Sequence, residues 1–189
     1  MLSLIGSRLL LRQWRDEDLP HFARLSVDPA VMAYLLPLPG RAAIDALAQR
    51  LRDHFTEHGF GFWAAELPGV CRFIGCIGLM HVGYQARFTP AVEIGWRLDP
   101  AYWGKGYATE AARLALHDGF ERLGLPEIVA LTVAANTRSR AVMQRLGMHH
   151  AEADDFDHPR VPDGHPLQRH VLYRLSHREW RQRSAAVTR

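Results

Sequence analysis

The residues best placed to do chemistry lie just past the middle of the chain, where Trp103-Gly104-Lys105-Gly106-Tyr107-Ala108 follows a strand-like run ending at Leu98 and opens a helical pattern. A helix start offers unpaired backbone N–H groups and the positive end of its dipole, a natural seat for phosphate. Gly104 and Gly106 carry no side chain, so an anion can approach the backbone closely. Beyond them Ala108, Ala111, Ala112, Ala115 and Gly119 share one stripe, and small residues there let the helix lie close against a sheet. Two better-known phosphate loops do not fit. No Gly-x-x-x-x-Gly-Lys-Ser/Thr run exists, and a dinucleotide fingerprint would need Gly or Ala where Thr109 stands. The plainer reading is a glycine turn that holds no ligand.

A second cluster invites a metal reading. His149, His150, His158, His165 and His170 are interspersed with Asp154, Asp155 and Asp157. No His-x-x-x-His or Cys–His spacing falls on one rigid element, so no metal is expected. The run Asp157–Pro166 reads instead as a proline-fixed loop. Trp14, Phe62, Trp63 and Trp96 read first as core or cleft-wall aromatics.

The elements that must position these residues follow from periodicity. Residues 8–14 read as a first strand, and Asp16-Glu17-Asp18 as an acidic helix start. Residues 17–27 and 41–57 carry helical spacing, with Ile44, Leu47, Leu51 and Phe55 on one face. Residues 60–66, 72–80 and 91–98 are strand-like, the first two joined by Pro68-Gly69. In the third, Glu93, Gly95 and Arg97 alternate with Val92, Ile94, Trp96 and Leu98. A long helix then runs to Leu123. Residues 128–133 make a β-branched strand, 136–146 a short helix closed by Gly147, and 170–175 a last strand. The order predicts an α/β (α+β) fold with a mixed sheet flanked by helices. No linker divides the chain, so residues 1–180 are expected to form one domain and 181–189 an Arg-rich, frayed tail.

The 189 residues suffice for a full core, and 48% hydrophobic with 23% charged residues is the globular range. The longest uncharged run, Phe73 to Ala86, is too short to span a bilayer. The start has no signal-peptide shape, and two cysteines five residues apart fit a reduced, cytoplasmic setting. The net charge of +3 misleads: residues 169–189 hold six Arg against Glu179, so the remainder is slightly acidic. Nucleic acid is therefore not an expected partner, since its surface would need charge spread over a folded face.

The segment around Gly106 resembles the acyl-CoA signature of the GNAT N-acyltransferase superfamily, Gln/Arg-x-x-Gly-x-Gly/Ala. Gly106 and Ala108 occupy its last two defined positions, and Trp103 replaces the usual Gln or Arg. Trp-Gly-x-Gly-Tyr-Ala resembles the branch of ribosomal-protein N-terminal acetyltransferases. Asn136-Thr137-Arg138-Ser139 followed by Leu146-Gly147-Met148 resembles that branch's Asn-x-x-Ser and Leu-Gly-Phe, with Met for Phe. The similarity spans residues 8–176. It implies a splayed sheet of about six to seven strands, with the pantetheine arm of acetyl-CoA between the strands near Leu98 and Val133. It further implies contacts from Leu98, from Trp103, Gly104, Lys105, Gly106, Tyr107, Ala108 and Thr109 at the pyrophosphate end, and from Asn136 and Ser139 at the thiol end. The oligomeric state it leaves open is monomer or homodimer.

The implied reaction moves an acetyl group from acetyl-CoA to a primary amine, either a peptide or protein N-terminus or a small amine. Such transfer needs a neutral amine and a stabilised leaving thiolate. Glu93 is the carboxylate candidate for the base, and its bland alternative is an ion pair with Arg97 on the same strand face. Ser139 can donate to the sulfur, as the resemblance favours, or cap the helix after Asn136. The acceptor is expected at residues 28–40 and 154–168, where Asp154, Asp155, Asp157 and Asp163 would give a negative field. The alternatives are a catalytically silent acyl-CoA sensor or scaffold, and a nucleic-acid-associated protein using the Arg tail.

Overall fold

The computed structural model describes residues 3–187, with side chains through residue 183. The chain divides into two compact units, Met1–Met80 with Gly95–Ala115 and His81–Ile94 with Leu116–Arg189.

In the first unit, β1 (Leu4–Ile5), β2 (Leu10–Arg12), β3 (Phe62–Leu67) and β4 (Cys71–His81) pair antiparallel in chain order. Leu11 lies opposite Ala65 and Trp63 opposite Ile77, and all four are fully buried. Gly78 permits this closeness: a Cβ there would stand 2.0 Å from the Gly61 carbonyl oxygen. Helices α1 (Leu19–Leu25), α2 (Pro29–Met32) and α3 (Gly40–His58) intervene between β2 and β3. Ile44, Ala48 and Leu51 repeat at helical spacing on α3 and pack with Trp14, Phe22 and Phe73. Trp14 meets Phe22 edge-on at 5.2 Å between ring centroids. Helix α3 stops at Gly59, whose φ of 73° ends the helix without steric cost.

Strand β5 (Val92–Leu98) continues from the second unit into the first, and helix α4 (Tyr107–His117) passes the other way before a π-helical stretch, Asp118–Arg122. In the second unit, Glu93 of β5 lies parallel to Val129 of β6 (Glu127–Val133). All seven residues of β6 pair antiparallel with β9 (Arg169–Ser176). The short strands β7 (His149–His150) and β8 (Phe156–Asp157) also pair with β9. Helix α5 (Thr137–Leu146) follows β6, and α6 (His177–Val187) follows β9.

Among the described residues nine strands and six helices make the mixed α/β fold that the order of elements predicts. The strand count exceeds six or seven because β1, β7 and β8 have two residues each, too few to alternate visibly. The stretch 181–189 is helical through Val187, while Thr188 and Arg189 lie outside the described residues. Among the described residues no helix is long and apolar enough to cross a membrane.

Candidate functional site

The loop before α4 has the backbone its glycines suggest. Gly104 and Gly106 have φ of 73° and 82°, a left-handed conformation that side-chain-bearing residues rarely adopt. The Gly106 carbonyl accepts the first α4 hydrogen bond, from Glu110 N–H at 3.0 Å. The amides of Tyr107, Ala108 and Thr109 thus precede the intrahelical ladder and belong to the end that attracts anions. Residues 104–106 are exposed. Trp103 fastens this loop to the end of β5, its indole Nε1 donating to the Leu98 carbonyl at 2.8 Å. Leu98 is expected to contact pantetheine, and its carbonyl already holds a protein donor. Lys105 turns its Nζ back to the Ala101 carbonyl at 2.9 Å and lies 5.6 Å from the Tyr102 ring centroid.

Arg8 supplies a cation that the sequence pattern did not single out. Its Nε donates to Glu110 Oε2 at 2.7 Å and its Nη1 to the Lys105 carbonyl at 3.0 Å. Its guanidinium lies 4.7 Å from the Tyr107 ring centroid, and a Cβ on Gly106 would come to 3.4 Å from its Nη2. Burial by itself would raise the Glu110 carboxyl, but hydrogen bonds from Arg8 and Ser7 hold it below the usual carboxylate range.

In the second unit Glu93 is the perturbed acid. Burial raises its carboxyl to about 7, and the charge of Arg160 opposes part of that rise. The alternative partner, Arg97, instead donates Nη1 to Ser26 Oγ at 3.1 Å and lies over the Phe22 ring. The ion pair within β5 is thus absent. Asn136 is the N-cap of α5: its Oδ1 accepts Ser139 N–H at 3.2 Å, and its Nδ2 donates to Thr132 Oγ1 at 3.0 Å. Ser139 itself sits in the first helical turn, partly buried. The cap assigned to Ser139 as its bland role therefore belongs to Asn136.

The acidic loop does not carry the negative field expected of it. Asp154 is 2.8 Å from Arg174 Nε, Asp155 is 2.7 Å from His150 Nε2, and Asp157 is 3.5 Å from Arg169. Asp163 accepts from Gln168 Nε2 at 2.8 Å. Asp154 and Asp157 thus each face an arginine, which weakens their field at a distance, and Asp155 faces a histidine. His158 and His170 lie 4.9 Å apart between ring centroids, and burial holds His158 down to about 4. In the other expected acceptor segment, Asp28 Oδ1 accepts from the amides of Ala30 and Val31 and thereby starts α2.

A family model described as an acetyltransferase (GNAT) domain matches residues 8–149, three quarters of the chain. The chain belongs to the GNAT acetyltransferase family. Among its relatives, the FsC-acetyl coenzyme A-N(2)-transacetylase of Aspergillus fumigatus is 33% identical over 99% of this chain and 82% of that protein. The spermidine N(1)-acetyltransferase of Escherichia coli K12 is 27% identical over 72% of this chain and 70% of that protein. The ribosomal-protein-S5-alanine acetyltransferase of Vibrio fischeri shares the fold, with a TM-score of 0.73 at 19% identity over 95% and 99% of the two chains. As a GNAT member this protein is an acyl-CoA-dependent acetyltransferase, with acetyl-CoA as co-substrate and an amine as acceptor.

Proposed function

We propose that this enzyme is an N-acetyltransferase for a primary amine, holding the acetyl-CoA pyrophosphate on the backbone of Trp103 to Ala108. The observation that carries the reading is the left-handed pair Gly104 and Gly106 at the start of α4, where the amides of Tyr107, Ala108 and Thr109 precede the helical ladder. Leu98, Thr109, Asn136 and Ser139 complete the cofactor contacts. Glu93 acts as general base, directly or through water, and Ser139 donates to the thiolate that leaves. A carboxyl poised near 7 suits the first role, because about half of it is ionised at neutral pH and it is more basic than an ordinary carboxylate. The amine nitrogen then bonds to the acetyl carbonyl carbon, the C–S bond breaks, and the amine gives up its proton. The activities of the relatives, an N(2)-transacetylase and a spermidine N(1)-acetyltransferase, support an amine as acceptor over a hydroxyl.

Acetyl-CoA turnover against a panel of amines and peptides, read as thiol released, tests the reading together with acetyl-CoA calorimetry on Gly106→Glu. Turnover by the parent and lost binding in the folded variant are the expected results, since the variant sets bulk and negative charge where the pyrophosphate lies. Unchanged affinity in Gly106→Glu would refute the loop assignment. Binding without turnover of any amine would make the chain a silent acyl-CoA sensor instead.

A further inference from the structure

Outside the cofactor loop, the second unit carries two charged groups that no internal partner consumes. Arg160 leaves the Pro159–Pro162 bend, donates Nη2 to the Gly83 carbonyl, and places its guanidinium 5.5 Å from the Tyr84 ring centroid. Those contacts fix the guanidinium without neutralising it: among the described residues no carboxylate lies within ion-pair distance of Arg160. The loop's own aspartates are engaged elsewhere, with Arg174, His150, Arg169 and Gln168. Glu93 is the complementary case, a partly buried carboxylate with no ion pair among the described residues. It feels the charge of Arg160, and both act electrostatically on Tyr84. Tyr84 stacks at 4.6 Å on His158, and its hydroxyl is buried without a hydrogen-bond partner among the described residues.

A cation fixed over the Tyr84 ring and a partly buried carboxylate that acts electrostatically on the same tyrosine make a receptor for a molecule carrying both charges. We propose that the acceptor is a primary amine bearing a carboxylate close to the amine, of the amino-acid class, with Arg160 reading the carboxylate while Glu93 receives the ammonium. This rests on the reading of Glu93 as the group that takes the amine's proton. A planar guanidinium accepts a carboxylate through two parallel N–H donors, which a lone ammonium cannot match. Anchoring on Gly83 and Tyr84 removes side-chain freedom before the acceptor arrives, so less entropy is lost on binding. His158 adds no competing cation, because burial keeps it neutral at physiological pH. In the transfer the carboxylate is a spectator: the N–C bond forms, the C–S bond breaks, and the ammonium proton passes to Glu93.

Pairs of acceptors differing by the carboxylate decide the matter: phenylalanine against phenethylamine, and leucine against isopentylamine, with spermidine as a cationic control. Rates are compared per free-amine fraction, with acetyl-CoA saturating and thiol release as the readout. The parent enzyme should prefer the carboxylate-bearing member by about tenfold or more in kcat/KM, the scale of one hydrogen bond to a charged group. In Arg160→Ala the ratio should collapse to within about twofold, with the loss on KM, and Arg160→Lys should recover part of it. Acetyl-CoA affinity by calorimetry confirms that each variant is folded. A parent that favours spermidine or the decarboxylated amines, or an Arg160→Ala variant with its ratio intact, overturns the acceptor class while leaving acetyl transfer standing. No thiol release with any amine overturns both.

Discussion

Arg8 and Glu110 stand 102 residues apart and meet in a charge-assisted pair of 2.7 Å at the start of α4, where the phosphate of a cofactor would lie. An acid in a first helical turn helps the helix but repels a phosphate placed at that same end. The guanidinium offsets this charge and, through the Lys105 carbonyl, also ties down the loop between the two glycines. Its Nη2 carries no hydrogen bond among the described residues and points toward Gly106.

Arg8→Ala should therefore weaken acetyl-CoA binding by about tenfold, equivalent to ~1.4 kcal/mol, within the usual worth of a hydrogen bond to a charged group. Arg8→Ala combined with Glu110→Gln should recover part of that loss, because no uncompensated acid then faces the pyrophosphate. Calorimetry at two salt concentrations checks this. An affinity unmoved by either change would show that the pair only braces the fold.

The raised carboxyl of Glu93 links activity and stability to pH. As a base it must be ionised, so kcat/KM should climb as pH rises through about 7. That limb should stay in place when the acceptor is exchanged for an amine of different basicity, and it should vanish in Glu93→Gln. Stability should run the other way. An acid raised in the folded chain ionises first in the unfolded chain, so, set against the opposite pull of His158, which is held down to about 4, the Glu93 contribution is greatest below pH ~4.3. It falls as pH rises from there to about 7 and then levels off. Glu93→Gln should flatten that slope and add on the order of 2 kcal/mol at pH 8, discounted for partial exposure. Chemical unfolding of the parent and Glu93→Gln at pH 5 and pH 8 measures it, and a stability difference between the two that does not change with pH would remove Glu93 from the account.

Ser139→Ala should lower kcat by about 10- to 1000-fold if its hydroxyl donates to the departing thiolate. The α5 cap comes from Asn136, so the fold should hardly suffer from that change. Asn136→Ala should instead cost about 1 kcal/mol through the lost cap. Turnover and melting of the two variants separate the roles. A Ser139→Ala variant as active as the parent would leave positioning alone to explain the rate.

What could be read from the chain was whatever repeats or clusters locally. Alternation marks β3, β4, β5, β6 and β9, and helical spacing marks α3. The spacing of Gly104 and Gly106 marks a backbone conformation that the structure displays. What escaped reading depends on distance along the chain. Arg8 reaches Glu110 across 102 residues and Arg160 reaches Gly83 across 77, and no local pattern marks either. Arg97 lies close to Glu93 in the chain, yet it goes to Ser26, 71 residues away. Helix α6 was obscured because its Arg-rich composition lacks a broad apolar stripe. The acidic loop misled for the opposite reason. Its aspartates count as charge in a sequence, but in the fold arginines on β9 pair with Asp154 and Asp157.

The last prediction concerns the base of the first unit, where Arg12 is 5% exposed and Asp18 is 2% exposed. The pair is two-pronged, with Arg12 Nη1 and Nη2 at 2.7 and 2.9 Å from the Asp18 oxygens. The remaining donors are used as well: Nε goes to Glu66 at 2.6 Å and Nη2 also to the Arg72 carbonyl at 2.6 Å. Asp18 in turn accepts the Arg15 amide at 2.8 Å, which sets the turn into α1. Removing Asp18 takes the two-pronged acceptor from a buried guanidinium whose remaining carboxylate is Glu66, which costs about 3 kcal/mol, the low end for a broken buried pair. Asp18→Ala should accordingly shift the denaturant midpoint by that much, far more than any change at the exposed pair of Arg41 and Asp45, where exposed pairs are worth about 0–1 kcal/mol. Replacing both partners with apolar residues, Arg12→Met with Asp18→Leu, should cost less than Asp18→Ala alone, because no orphan charge remains. A loss below about 1 kcal/mol for Asp18→Ala would mean that water reaches the guanidinium, and the buried description of this pair would fail.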